Sequence, residues 1–202
     1  MVTLQNINWE EPAAMFNWLA DVFYQQPTAE KLEFAKNNLI FWPESNAEVD
    51  SYIKMIKKSI EIDGVINISK DFHRLFVGPG SKEVYPWGSV YTEEDKLLFG
   101  PSTILWEEFC EKNKIVIKLD SNEPTDHFAL FFYSLSAVMK SEHSVSKKNA
   151  ILSEIIFEHF LPWGERVLNL IGEKASTNYY RGFSLMASYL VRKWCFGLRE
   201  YG

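Results

Sequence analysis

The run Phe128-Ala129-Leu130-Phe131-Phe132-Tyr133-Ser134-Leu135-Ser136-Ala137-Val138-Met139 decides the fold class. Phe128, Phe131, Phe132, Leu135, Val138 and Met139 recur in it at the spacing that lines one face of an α-helix. Other stretches repeat the pattern. Met15, Phe16, Leu19, Val22 and Phe23 form one stripe, and Val49, Tyr52, Ile53, Ile56 and Ile60 form another. Phe183, Met186, Ala187, Leu190, Val191 and Trp194 make the last. Helices are therefore expected at about 9–25, 29–40, 46–62, 67–77, 102–113, 123–141, 145–159, 163–175 and 178–196. Asn8 before Glu11 and Ser45 before Glu48 have capping-box spacing, and Pro12 and Pro124 suit a first helical turn. Ile115-Val116-Ile117 could be extended but has no evident partner strand. The expectation is an all-α, single-domain multi-helix bundle spanning residues 1–202.

One segment breaks the helical pattern. Residues 78–91 read Gly-Pro-Gly-Ser-Lys-Glu-Val-Tyr-Pro-Trp-Gly-Ser-Val-Tyr, too rich in glycine and proline for a helix. A connection of this length within a compact domain is often functional, and Tyr85, Trp87 and Tyr91 make it a candidate recognition loop.

Bulk composition narrows the function. The chain has 202 residues and a formal net charge of −6. Nucleic-acid binding is disfavoured, because phosphate recognition needs clustered cations and the main cluster is Lys54, Lys57 and Lys58. Aromatics make up 15% of the residues, an excess that often lines a binding surface. No Lys or Arg precedes Lys31, so the start lacks the basic region of a secretory signal. No apolar run approaches a membrane span, so no membrane insertion is expected. Cys110 and Cys195 are the only cysteines and have no metal-ligand spacing. These features predict a cytoplasmic protein without a metal or cofactor.

The polar cluster to weigh is Glu123-Pro124-Thr125-Asp126-His127. As an enzyme it would use Asp126 and His127 as base and orienter, or as metal ligands with Glu123. On a helix, however, Glu123 and His127 share a face and Asp126 does not. No His-Glu-x-x-His run, phosphate loop or nucleophile elbow accompanies the cluster. The plainer reading puts Glu123 and Asp126 in a first helical turn, where the macrodipole favours carboxylates. Ligand binding is the third reading. Of the other histidines, His73 and His159 lie on partly apolar helices, where a histidine usually has a structural role.

Three motifs in order carry a resemblance. Arg74-Leu75-Phe76-Val77-Gly78-Pro79 with Pro86-Trp87-Gly88-Ser89-Val90-Tyr91 is the first, Asn122-Glu123-Pro124-Thr125-Asp126-His127-Phe128 the second, and His159-Phe160-Leu161-Pro162-Trp163 the third. Together they resemble the TorD/DmsD family of redox-enzyme maturation proteins, most of all its DmsD branch, over about Phe72 to the C-terminus. The chain departs from close relatives at Tyr85, where proline is common, and at Gly80, where an aromatic is common.

The resemblance implies an all-helical cytoplasmic chaperone and not an enzyme. It would bind the twin-arginine signal peptide of a molybdopterin-containing reductase, of the dimethyl sulfoxide reductase catalytic-subunit type. It would hold that precursor for cofactor insertion before Tat export. Another molybdoenzyme, such as a trimethylamine-N-oxide reductase, is the alternative client, and a small metal- or nucleotide-dependent hydrolase the alternative class. The Tat translocase and molybdenum-cofactor biosynthesis proteins are further candidate partners. Carried over by match, the leader-binding residues are Phe72, Leu75, Phe76, Trp87, Pro124, Asp126 and His127. The physical reading adds Pro86, Tyr91 and Glu123: leader arginines need carboxylates and its apolar stretch needs an apolar groove. Spacing leaves open whether the Asp126/His127 and Trp87 patches adjoin.

Overall fold

The stripe of residues 128–139 becomes a helix whose apolar face is entirely covered. In the computed structural model, which describes residues 8–78, 82–117, 119 and 122–201, the chain is all-α. The helices are α1 (Glu10–Tyr24), α2 (Ala29–Asn38), α3 (Ala47–Phe72), α4 (Ser89–Thr92), α5 (Pro101–Lys112), α6 (Phe128–Lys140), α7 (Val145–Glu154), α8 (Gly164–Lys174) and α9 (Asn178–Tyr201). A 3-10 turn, Leu39–Phe41, extends α2, and π-helical segments His73–Val77 and Ile155–Phe160 extend α3 and α7. Among the described residues there is no strand, and Ile115–Ile117 is irregular. Pro79 of the first motif, and Gly80, where the chain departs from close relatives, lie outside the described residues.

The chain divides into two compact units, each assembled from separate segments. The first comprises Met1–Asp21, Pro86–Glu165 and Val191–Gly202. Its centre is α6, where Phe128, Phe131, Phe132, Leu135, Val138 and Met139 are all buried. Phe132 meets Phe16 of α1 at 5.8 Å and Phe160 at 5.5 Å, and Phe131 stacks on Trp106 of α5 at 4.1 Å. Trp194 closes on Phe16 at 6.2 Å and Trp9 at 5.9 Å. Burying one such ring contributes roughly 1.5–3 kcal/mol, so this aromatic stack is a substantial part of what holds the unit together.

The second unit comprises Val22–Tyr85 and Arg166–Leu190. Phe72, Phe76 and Tyr180 pack edge to face or tilted within 6.3 Å of one another. Asp71 ties the start of α9 to α3: it accepts from the Ser176 and Thr177 N–H groups at 3.0 and 2.8 Å and from the Thr177 hydroxyl at 2.7 Å. Burial alone would raise the Asp71 carboxyl. These donors, with Arg74, outweigh it and hold the carboxyl below its usual range.

Three local expectations change. The helices expected at 46–62 and 67–77 form one element broken at Gly64, whose φ of 60° and ψ of 179° are non-helical. The cap expected at Ser45 falls on Asn46, whose side chain accepts from both Glu48 and Val49 N–H at 3.0 Å. The helix expected from 123 begins only at Phe128, because the preceding residues bond elsewhere.

Candidate functional site

Two of the three motifs are bound together by backbone hydrogen bonds. Gly88 N–H donates to the Asp126 carbonyl at 3.0 Å, and Phe128 N–H donates to the Pro86 carbonyl at 2.8 Å. The pair makes an isolated antiparallel bridge between Trp87 and His127, and their rings meet edge to face at 6.2 Å. The two patches therefore adjoin. The segment read as one long connection contains this bridge at Trp87 and ends in the short helix α4; its other described residues are irregular.

Asp126 completes the clamp. Its Oδ2 accepts the Ser89 N–H at 2.6 Å, so it caps α4 and not the helix that follows it in sequence. This corrects the first-turn reading of Glu123, Pro124 and Asp126, which all precede α6. Asp126 is 2% exposed, and burial pushes its carboxyl above the usual range, against the lowering pull of the Ser89 N–H. The Ser89 and Thr103 hydroxyls bond the same carboxyl and pull in the same direction as the Ser89 N–H, without outweighing burial.

His127 is the N-cap of α6, its Nδ1 accepting from Ala129 N–H at 3.1 Å. Its ring is buried and stacked on Phe128 at 5.3 Å. Burial lowers its pKa from 6.5 to about 3, so at neutral pH the imidazole is uncharged, with its proton on Nε2.

The third motif joins the other two through Gly88. A methyl group there would lie 2.5 Å from the Trp163 ring, so only glycine lets chain and indole approach. Trp163 Nε1 donates to the His159 carbonyl at 2.8 Å, and its ring lies nearly parallel to Tyr91, 12° apart at 6.3 Å.

Beside this junction is a cleft of about 430 Å³. Gly88, Thr92 and Asp126 line one end. One wall is α5, presenting Ser102, Leu105, Trp106, Glu108, Phe109 and Lys112. The other wall carries Glu154, Glu158, His159, Pro162 and Trp163. The floor is aromatic: Trp106 and Phe109 are buried and contact His159 at 5.4 and 4.7 Å. Pro101 stands at the first position of α5, and Glu93 accepts from Ser102 N–H at 3.2 Å in place of a local cap.

Of the ten residues singled out in the sequence, the structure gathers Pro86, Trp87, Tyr91, Glu123, Pro124, Asp126 and His127 in the first unit. Trp87, Tyr91 and Glu123 are partly exposed; Pro86, Pro124, Asp126 and His127 are buried. Phe72, Leu75 and Phe76 are buried residues of the second unit. There Leu75 accepts from Val84 N–H at 3.0 Å. The motif reading did not single out Trp106, Phe109, Glu154 or Glu158. The stripe from Ser102 to Lys112 and the like-charge pair Glu154/Glu158 were the available signals. Among the described residues no group of three or more His, Cys, Asp or Glu could hold a metal ion, and no helix is long and apolar enough to cross a membrane.

The three motifs thus meet around one glycine, beside a cleft with aromatic lining. A family model described as nitrate reductase delta subunit matches residues 43–169. A Haemophilus influenzae protein named "Probable Tat proofreading chaperone DmsD" is 26% identical over 181 residues, which is 87% of this chain and 86% of that protein. The Salmonella typhimurium Tat proofreading chaperone DmsD is 27% identical over 128 residues, 63% of this chain and 60% of its own length. The Aliivibrio salmonicida chaperone protein TorD is 26% identical over 186 residues, 85% and 86% of the two chains. The chain belongs to this family, that of the TorD and DmsD chaperones, which are redox-enzyme maturation chaperones and not catalysts.

Proposed function

We propose that this protein is a cytoplasmic chaperone that binds the twin-arginine signal peptide of a molybdopterin-containing reductase precursor. The client is of the dimethyl sulfoxide reductase catalytic-subunit type, held for cofactor insertion before Tat export. The observation that carries this reading is the cleft, which offers carboxylates at its rim and aromatic rings at its floor. A twin-arginine leader presents the complement, guanidinium groups beside an apolar stretch. Arginine pairs with carboxylates through directional, charge-assisted bonds, and apolar side chains gain from burial against rings. Trp87, Tyr91 and Glu123 offer partly exposed side chains in the same unit, and buried Asp126 lines the cleft. Pro86, Pro124 and His127 hold the surrounding backbone, and Phe72, Leu75 and Phe76 of the second unit are proposed as leader-binding residues in their own right. The alternative client is another molybdoenzyme precursor, such as that of a trimethylamine-N-oxide reductase. The Tat translocase and molybdenum-cofactor biosynthesis proteins remain proposed further partners.

Calorimetric titration of the purified protein with leader peptides from both reductase types tests the reading. Saturable binding of one leader, and none of a secretory signal without paired arginines, is expected. Equal binding of all three peptides, or of none, overturns it.

A further inference from the structure

We propose that Asp126 serves the signal-peptide site as a positioning residue: with Thr103 it ties α5 to residues 86–89 and so fixes a wall of the cleft, without itself pairing with a leader arginine. This deepens the signal-peptide reading and rests on it.

The first observation is what the Asp126 carboxyl already holds. It accepts the Ser89 N–H at 2.6 Å and bonds the hydroxyls of Ser89 and Thr103. All three residues are buried: Asp126 is 2% exposed, Thr103 1% and Ser89 0%. A leader guanidinium would therefore reach the carboxyl only by displacing buried donors. Each displaced donor would carry the cost of a buried polar group without a partner. The exposed carboxylates at the cleft rim impose no such cost.

The second observation lies in α5. Thr103 is a buried polar residue on the helix face that otherwise buries Trp106, Phe109 and Cys110. A β-branched residue gains little in a helix, and a buried hydroxyl costs free energy unless it is bonded. Asp126 supplies that bond. One turn further on, Trp106 Nε1 donates to the Thr125 carbonyl at 3.1 Å, and the Thr125 hydroxyl donates to Glu107 Oε1 at 2.8 Å. Thr125 and Asp126 thus hold Thr103, Trp106 and Glu107 of α5 by hydrogen bonds. Asp126 holds the other element at the same time, its carbonyl accepting Gly88 N–H at 3.0 Å and its carboxyl the Ser89 N–H.

Both elements border the cleft. Gly88 lines it, and α5 presents Leu105, Glu108 and Lys112 to it above the Trp106 and Phe109 rings. The two-residue brace therefore sets where that wall stands relative to Gly88. Ligand-binding side chains need support that holds them to within about half an ångström, and a buried carboxyl shared by two elements provides it.

The test titrates a synthetic peptide, two consecutive arginines followed by an apolar run, into the wild type and variants, each below its melting temperature. Thr103→Val keeps the shape and removes the hydroxyl. It is expected to bind roughly fivefold more weakly, and Thr103→Ser to recover most of that loss. Asp126→Ala is expected to lose roughly tenfold or more. Asp126→Asn is expected to lose much less, because its amide oxygen still accepts the Ser89 N–H and both hydroxyls can turn to accept from its nitrogen. Replacing the peptide arginines by glutamine is expected to weaken binding in every variant, the fold-losses multiplying as they do for groups not in contact. Asp126→Asn and the Thr103 pair decide the matter even where Asp126→Ala does not fold. A glutamine peptide that costs nothing further in Asp126→Asn, or Asp126→Asn as weak as Asp126→Ala, overturns the indirect role and makes Asp126 an arginine contact. Normal binding by Thr103→Val overturns the tie to α5. Both results leave the signal-peptide reading intact. A wild type that ignores the arginine peptide overturns that reading, and this proposal with it.

Discussion

His127 is held neutral by burial, and Asp126 beside it is pushed toward the neutral form for the same reason. The two shifts have opposite consequences for stability. For His127 the folded pKa, about 3, lies below the ordinary 6.5, so the unfolded chain takes up a proton that the folded chain refuses. Its contribution is complete above pH 6.5 and is lost as pH falls from 6.5 toward 3. For Asp126 the folded value is raised, so its contribution is complete below the ordinary carboxylate range and lost as pH rises through the folded value. His127→Asn keeps an acceptor for Ala129 N–H and removes the titration. Relative to wild type, the variant should therefore gain stability as pH is lowered below 6.5, by at most about 1.4 kcal/mol per pH unit. Denaturant melts of both proteins at about pH 7.5 and about pH 5 read this difference; parallel pH curves would show that His127 is not its source.

At the scale of elements, a glycine sets the course of α3. Gly64 has φ 60° and ψ 179° with nothing within 4 Å of a would-be Cβ. Backbone strain, not crowding, is what excludes a side chain there. Gly64→Ala should cost about 1–3 kcal/mol, the usual cost of a non-glycine residue in such a region. Thermal melts followed by far-ultraviolet circular dichroism test it: unchanged stability with more helical signal would mean that the two halves of α3 had merged into one straight helix. Gly88 is different in kind. Its constraint comes from the Trp163 ring, a neighbour far away in sequence, so local pattern marks it only as a breaker.

The whole molecule carries a net charge of −6, yet its binding should not be mainly electrostatic. Exposed ion pairs contribute little and are screened at physiological salt, whereas burial against the Trp106, Phe109 and Trp163 rings is not. Affinity for a twin-arginine leader should fall by about one order of magnitude between low salt and about 0.5 M. Isothermal titrations across that range measure it, and a loss of several orders of magnitude would show that charge carries the binding.

The sequence by itself determined the helical class, the main helices and the family. Spacing such as that of Phe128, Phe131, Phe132 and Leu135 follows from local backbone geometry, and three motifs in order are more specific than any one of them. It also left a gap between the helices expected at 46–62 and 67–77, and marked 78–91 as a break, because glycine and proline act locally. The tertiary structure alone decided what the motif residues do. Asp126 looked like part of its own helix but caps α4, since its carboxylate meets a backbone amide 37 residues away in sequence. Trp87 looked like a presented ring, but its backbone pairs with His127. The cleft joins α5 to the α7 extension across more than forty residues of sequence. Periodicity reports which face of a helix is apolar; it carries no information on which other face it will meet.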